Sequence, residues 1–211
     1  MAVPQKSDLE KRSYICEVRA EENGRTIHGR PVVYGAFTDI AGIFREVIEP
    51  GALDKTDLKD VRFLINHDLN SLPLARSRNN TPNSTMRLQL VPEGLDITAD
   101  LDTENNADSR KLYSAVQRED VSGMSFMFSI RGQKWEDLDT DYPTRRITDI
   151  ASIVEVSAVT FPAYESTQIS ARDASALENA RSELESARAA EQATLESVTR
   201  KRDFYNKIAK L

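Results

Sequence analysis

The chain has 211 residues, 39% hydrophobic and 29% charged, with a formal net charge of −6 from 28 Lys+Arg against 34 Asp+Glu. That balance suits one ordinary hydrophobic core with a small appendage and argues against wholesale disorder. It offers no general attraction for nucleic acid or an anionic membrane, so neither is expected as a partner. Cys16 is the single cysteine, which excludes an internal disulfide and a cysteine-rich zinc site and suits a reducing compartment. His28 and His67 are the two histidines, too few for a metal site built mainly from imidazole, and no cofactor is expected. The opening MAVPQKSDLEKRSYICEV lacks the apolar run of a signal peptide, and no stretch approaches the roughly 18 apolar residues of a membrane span.

In chain order, residues 12 to 50 read as short strands. SYICEVRA and RTIHGRPVVYG are rich in β-branched and aromatic residues and are separated by a turn around Glu22, Asn23 and Gly24. FREVIEPGAL turns at Pro50 and Gly51, and ALDKTDLKD is predicted as a short helix. VRFLINHD reads as a strand ending at His67. Residues 70 to 84, rich in Pro, Asn and Ser, read as an ordered loop or flap. The clearest hairpin follows: Met86, Leu88 and Leu90 alternate on one side of VPEG, and Leu95, Ile97, Ala99 and Leu101 on the other. NADSRKLYSAVQR, residues 106 to 118, predicts a helix capped by Asn106 or Asp108, with Leu112, Ala115 and Val116 on one side. SGMSFMFSIRG is a strand. ITDIASIVEVSAVTFPAY is another, with an irregularity, and Pro162 is placed to end it or hold it at an edge.

From residue 172 onward Gly and Pro vanish and Ala, Glu and Arg dominate. Leu177, Ala180, Leu184, Ala187, Leu195 and Val198 recur at helical spacing, with Glu191 interrupting the stripe. Acidic residues lie early and basic ones late, as a helix dipole favours. The tail is either a solvated helix or a contact helix for a scaffold, a shell protein or a second copy. The resulting fold class is α+β: a β-rich, barrel-like domain with flanking helices, plus a C-terminal helix. The division falls at residues 1–171 and 172–211.

Three kinds of residue could do chemistry. His67 ends the apolar run FLINH, where a rigid backbone can hold an imidazole at a pocket rim and let it take and return a proton near neutrality. His28, in TIHGR, reads as part of plain surface β-structure. Ser125 lies among Met124, Phe126, Met127 and Phe128, where an unpartnered hydroxyl is costly, and Gly123 permits a close approach before it. Ser122 and Ser129 compete for the same role. Glu155 is an acid inside the apolar run SIVEVSAV. It and Asp149 could each accept from a histidine ring nitrogen, and Glu155 could instead pair with Arg145 or Arg146.

Taken together, these segments resemble the prohead (capsid maturation) proteases of tailed phages, which are related in fold to the herpesvirus maturational proteases. The resemblance rests on Asn66-His67-Asp68 followed by Pro73-Leu74-Ala75, on Val121 to Phe128, and on Val154 to Tyr164. The blocks Gly29 to Gly35 and Phe44 to Ala52 stand in matching order before them. It covers roughly residues 12 to 170. It implies a serine endopeptidase in which His67 is the base and Ser125 the nucleophile. The herpesvirus relatives use a second histidine at the third place, and this chain has none there. The phage branch uses an acid, which falls on Glu155. Leu74 stands where a glycine is expected in many relatives. The resemblance further implies cleavage of capsid scaffold or of the scaffold-like segment of the major capsid protein, cleavage of the protease itself, possible self-association, and action inside the assembling prohead in the host cytoplasm. The competing class is a non-enzymatic capsid assembly or scaffolding protein, in which His67 and Ser125 would lie far apart. An esterase is disfavoured because Ser125 is followed by Phe126 and Met127 rather than completing a G-x-S-x-G elbow. A zinc hydrolase lacks its H-E-x-x-H pattern.

Overall fold

Among the described residues, alternating apolar and polar residues resolve into eleven strands, with a short helix before the last two and a long helix after them. The computed structural model describes residues 9–15, 18–160 and 171–208. In order the elements are β1 (Glu10–Ile15), β2 (Arg19–Ala20), β3 (Thr26–Val33), β4 (Phe37–Ile40), β5 (Phe44–Ile48), β6 (Asp60–Ile65), β7 (Ala75–Arg78), β8 (Met86–Val91), β9 (Gly94–Asp100), α1 (Ala107–Gln117), β10 (Gly123–Glu136), β11 (Thr144–Val159) and α2 (Ala171–Ile208). The fold is α+β and mostly strand. Cys16 and Pro162 lie outside the described residues.

Two sheets carry the architecture. The smaller has the order β2-β3-β9-β8. The larger has seven strands along the path β1-β10-β11-β5-β4, with β6 also on β11 and β7 on β6. β11 is the organising strand. Its first part, Thr144 to Ile147, runs parallel to β5, and its later part, Glu155 to Ala158, runs parallel to β6. Its other edge pairs antiparallel with β10 along nearly its whole length. Val154 and Ala151 are skipped in that ladder, so β11 carries the expected irregularity as bulges that bend it.

One core fills the space around these sheets. Ile27, Val32, Phe63, Met86, Leu95, Ile97, Phe126, Phe128, Ile150 and Val156 are among its buried members. The β8–β9 hairpin supplies Met86, Leu88, Leu95, Ile97 and Ala99 from its inward face, as the alternation predicts, whereas Leu90, next to the turn, is exposed. Gly94 lies where a Cβ would sit 1.9 Å from the Val32 carbonyl oxygen, and its φ is +150°. Only glycine fits there, and β3 and β9 approach closely as a result. Helix α1 begins at Asn106, whose side chain accepts from the amides of Asp108 at 2.9 Å and Ser109 at 3.3 Å. Its buried side presents Ser109, Leu112, Tyr113 and Val116.

The structure departs from the sequence reading in two local places. The segment around residues 52 to 60 forms successive tight turns rather than a helix. Its polar groups are drawn onto β11 instead: Asp57 N donates to the Ala151 carbonyl at 2.9 Å, and Thr56 Oγ1 to the Ile150 carbonyl at 2.8 Å. Within the expected loop of residues 70 to 84 lies β7, antiparallel to β6, with Ala75 and Ser77 turned inward. Leu74 continues that pairing, its amide donating to the Phe63 carbonyl at 2.9 Å.

The first half of α2 rests on the domain. Ala180 and Leu184 are buried, and Glu183 accepts from Gln133 Nε2 at 2.6 Å and Arg145 Nη2 at 3.1 Å. From Glu191 to Arg202 the residues are exposed, Leu195 and Val198 included, so the stripe loses its packing where Glu191 interrupts it.

Candidate active site

The site is built on one face of the large sheet where β10, β11 and the end of β6 meet. Ser125 on β10 lies directly opposite Ser157 on β11, and Met127 lies opposite Glu155. Residues two apart on a strand share a face, so Glu155 and Ser157 point the same way. Parallel pairing of β6 on the far side of β11 carries the chain up to Ile65, opposite Ala158. There the backbone turns sharply. Asn66 and His67 both adopt left-handed conformations, with φ of 49° and 58°. For residues with a Cβ this costs roughly 1–2 kcal/mol each, and the surroundings hold it in place. Asn66 N donates to the Ala158 carbonyl at 3.0 Å, Thr160 N donates to the Asn66 side-chain oxygen at 3.1 Å, and His67 N donates to Ser157 Oγ at 3.1 Å. This strained turn swings the His67 imidazole back over β11 toward β10. Strain of this kind, over-determined by neighbours, is common at functional sites.

The imidazole bridges two buried partners. Its Nδ1 is hydrogen-bonded to Glu155 Oε1, and its Nε2 lies 2.6 Å from Ser125 Oγ. The other Glu155 oxygen accepts from Ser157 Oγ at 2.6 Å. Ser125, Glu155 and Ser157 are buried, and the His67 side chain is 4% exposed. Because an ionised carboxylate only accepts, Glu155 requires the proton on Nδ1, which leaves Nε2 of the neutral ring with a lone pair aimed at the serine. Ser157 fixes the carboxylate from one side and the His67 backbone from the other, so it positions both. Sequence reading passed over Ser157. Its place two residues beyond Glu155 on a strand was the available signal.

The competing candidates sit elsewhere. Ser122 is exposed, and Ser129 Oγ pairs with Ser152 Oγ at 2.8 Å. Asp149 pairs with Arg131, while Arg146 pairs with Glu49 and Glu136. His28 bonds Glu21 and Thr98 on the smaller sheet. Arg145 is buried among Glu10, Glu46 and Glu183, with Gln133 on its Nε.

A model of the caudovirus prohead serine proteases matches residues 15–182 of the 211. The chain belongs to that family. No curated protein and no solved structure matches it significantly. The match to this protease family includes His67, Ser125 and Glu155 and reaches into α2. It agrees with the resemblance drawn from the sequence and supports a serine protease role in capsid maturation.

One further element of this prohead protease family member touches the candidate site. β1 lies antiparallel along the free edge of β10, with Ser13 opposite Ser125 and Arg12 opposite Phe126. Ser125 Oγ is 2.8 Å from the carbonyl oxygen of Arg12. The Arg12 guanidinium forms a fork onto the Glu46 carboxylate, with Nη2 at 2.7 Å from Oε2, and passes 5.6 Å from the centre of the Phe128 ring. Glu46 is itself held by Arg145 Nη1 at 3.1 Å. Burial alone would pull the Arg12 guanidinium down, but the charges of Glu46 and Glu10 outweigh it and hold its pKa above the usual value.

Proposed function

We propose that this prohead protease is an endopeptidase in which Ser125 is the nucleophile, His67 the general base and acid, and Glu155 the residue that orients the imidazole. The observation that carries this reading is the continuous line of contacts from Glu155 through His67 to Ser125. In acylation, Ser125 Oγ bonds to the carbonyl carbon of the scissile peptide while its proton passes to His67 Nε2. The carbon–nitrogen bond then breaks, and the same proton goes to the leaving amine. Water attacks the acyl ester, again giving its proton to Nε2, and the serine is restored as the new carboxylate departs. Glu155 stays ionised and favours the imidazolium formed in each step. The developing oxyanion needs donors, and backbone amides are the default supply.

The substrates on this reading are capsid scaffold, or the scaffold-like segment of the major capsid protein, inside the assembling prohead in the host cytoplasm. The protease also cuts itself, with the helical tail of residues 172–211 as the segment removed or used for packing, and it can self-associate. The protease domain proper is residues 1–171. Co-production with the natural shell protein tests the reading: processing should stop in Ser125→Ala and His67→Ala, and processing that persists in both would refute the assignment. Mass spectrometry that finds an intact C-terminus after shell maturation would refute removal of the tail.

A further inference from the structure

The Ser125 hydroxyl has one proton and two neighbours that can accept it, His67 Nε2 at 2.6 Å and the Arg12 carbonyl oxygen at 2.8 Å. Catalysis requires the first. When the proton is donated to Arg12, the serine oxygen sees the carbonyl oxygen rather than the carbonyl carbon. This is a blocked contact. Ser125 has no exposed surface, and β1 is paired along the edge of the strand that carries it. All but the last residue of β1 lies before the range that the family match covers, which begins at residue 15.

The way β1 lies is that of a peptide presented for cleavage. It is an extended strand hydrogen-bonded along the edge of the strand that carries the nucleophile, a recurrent way of gripping a peptide without reading its sequence. Along it, Arg12 delivers its carbonyl to Ser125, and its guanidinium enters a buried ion cluster in which it meets Glu46 and, at 2.5 Å from Nη2, Glu10 of its own strand. Glu46 is 2% exposed, and the Phe128 ring lies beside the Arg12 guanidinium. Arg145 fixes the carboxylate from behind. A forked carboxylate–guanidinium contact of this kind is selective for a basic side chain, because a neutral guest would leave the buried Glu46 with Arg145 as its remaining cation and an acidic guest would set two carboxylates together.

We propose that β1 is a built-in pseudosubstrate strand lying in the groove that substrate peptides use, and that Glu46 sets a preference for arginine or lysine at the residue whose carbonyl meets Ser125. This rests on the protease reading and names its substrate class. A substrate must then displace β1, which competes as a tethered ligand at high effective concentration. The crowded interior of a shell filled with substrate segments favours that exchange.

The test uses the full chain, with a fluorophosphonate reporter for the Ser125 hydroxyl and Ser125→Ala as the blank. In Arg12→Glu the new carboxylate faces Glu46 and expels the strand. Arg12→Ala removes the ion pair without adding charge and serves if the first variant folds poorly. Either should label at least about tenfold faster than the unaltered chain. The released variant is then given peptides that differ only in the residue before the scissile bond. Arginine and lysine peptides should be cut at least about tenfold faster in kcat/KM than norleucine or glutamate peptides. Adding Glu46→Gln should abolish that preference while labelling persists. Equal labelling of the unaltered chain and both Arg12 variants would overturn the pseudosubstrate. Rapid labelling with no preference for basic peptides would overturn the role of Glu46 and leave the protease reading standing. No labelling in any form would overturn both.

Discussion

Ser157 stands directly opposite Ser125 on the neighbouring strand and two residues beyond Glu155, so one side chain ties the carboxylate to the turn that presents His67. The sheet holds two members of the candidate triad in register, and Ser157 couples the third to them. Ser157→Ala should therefore slow turnover by about tenfold to a hundredfold, mainly in kcat, while Ser157→Thr retains most of the rate. Steady-state kinetics on a peptide substrate separates kcat from KM.

Loss of the orienting acid should be severe but incomplete. Glu155→Gln keeps the shape and removes the charge that favours imidazolium, and roughly a 10²- to 10⁴-fold fall in kcat is expected. Residual activity above that of Ser125→Ala, measured in the same assay, distinguishes an orienting role from a nucleophilic one.

The clamp on β1 should open in acid. Glu10 suffers from burial, yet the charges of Arg12 and Arg145 outweigh that penalty and hold its carboxyl below the usual 4.5. A group whose folded value is depressed contributes stability that is present above its unfolded value and is lost as the pH falls through its folded value. The contribution of Glu10 is therefore complete above about pH 4.5 and disappears progressively below it. The matching effect for Arg12 and Arg145, whose values are raised, would be lost only at strongly alkaline pH. The hydrogen-exchange protection of the β1 amides, taken relative to the intrinsic rate at each pH, should fall below pH 4.5 before that of the β8–β9 hairpin. Simultaneous loss of both would contradict a local clamp.

Gly94→Ala should destabilise the whole domain. The added carbon would meet the Val32 carbonyl oxygen at 1.9 Å on a backbone already at φ +150°. Separating β3 from β9 or twisting the turn should cost about 2–4 kcal/mol. Denaturant unfolding measures it, and a change below about 0.5 kcal/mol would show that the hairpin relaxes freely.

The parts of the fold that sequence made readable are those with a sustained period. The β8–β9 hairpin alternates through Met86 and Leu88 on one arm and Leu95, Ile97 and Ala99 on the other, with Leu90 exposed near the turn, and α1 has a capping Asn106 with apolar residues at helical spacing. β7 was hidden because it is a four-residue strand, ARSR, set among turn-forming residues. The turns near residues 52 to 60 took the place of a short helix because their bonds go to β11, a partner nearly a hundred residues away in sequence. For the candidate site, local chemistry left His28, Ser122, Ser129 and Asp149 in contention. The family resemblance selected His67, Ser125 and Glu155, and the ladder between β10 and β11 supplies the physical reason that they can meet. The ion cluster of Arg12, Glu46 and Arg145 was illegible for a different reason. Its members are 34 and 99 residues apart, and no local pattern links them.

The most direct measurement is processing of the natural shell protein by the co-produced chain, followed by gel and mass spectrometry, with Ser125→Ala and His67→Ala beside the unaltered protease. A single proton relay between these two side chains predicts discrete shell-protein fragments with the unaltered chain and uncut shell protein with either variant. The same fragments at comparable yield from Ser125→Ala would contradict it.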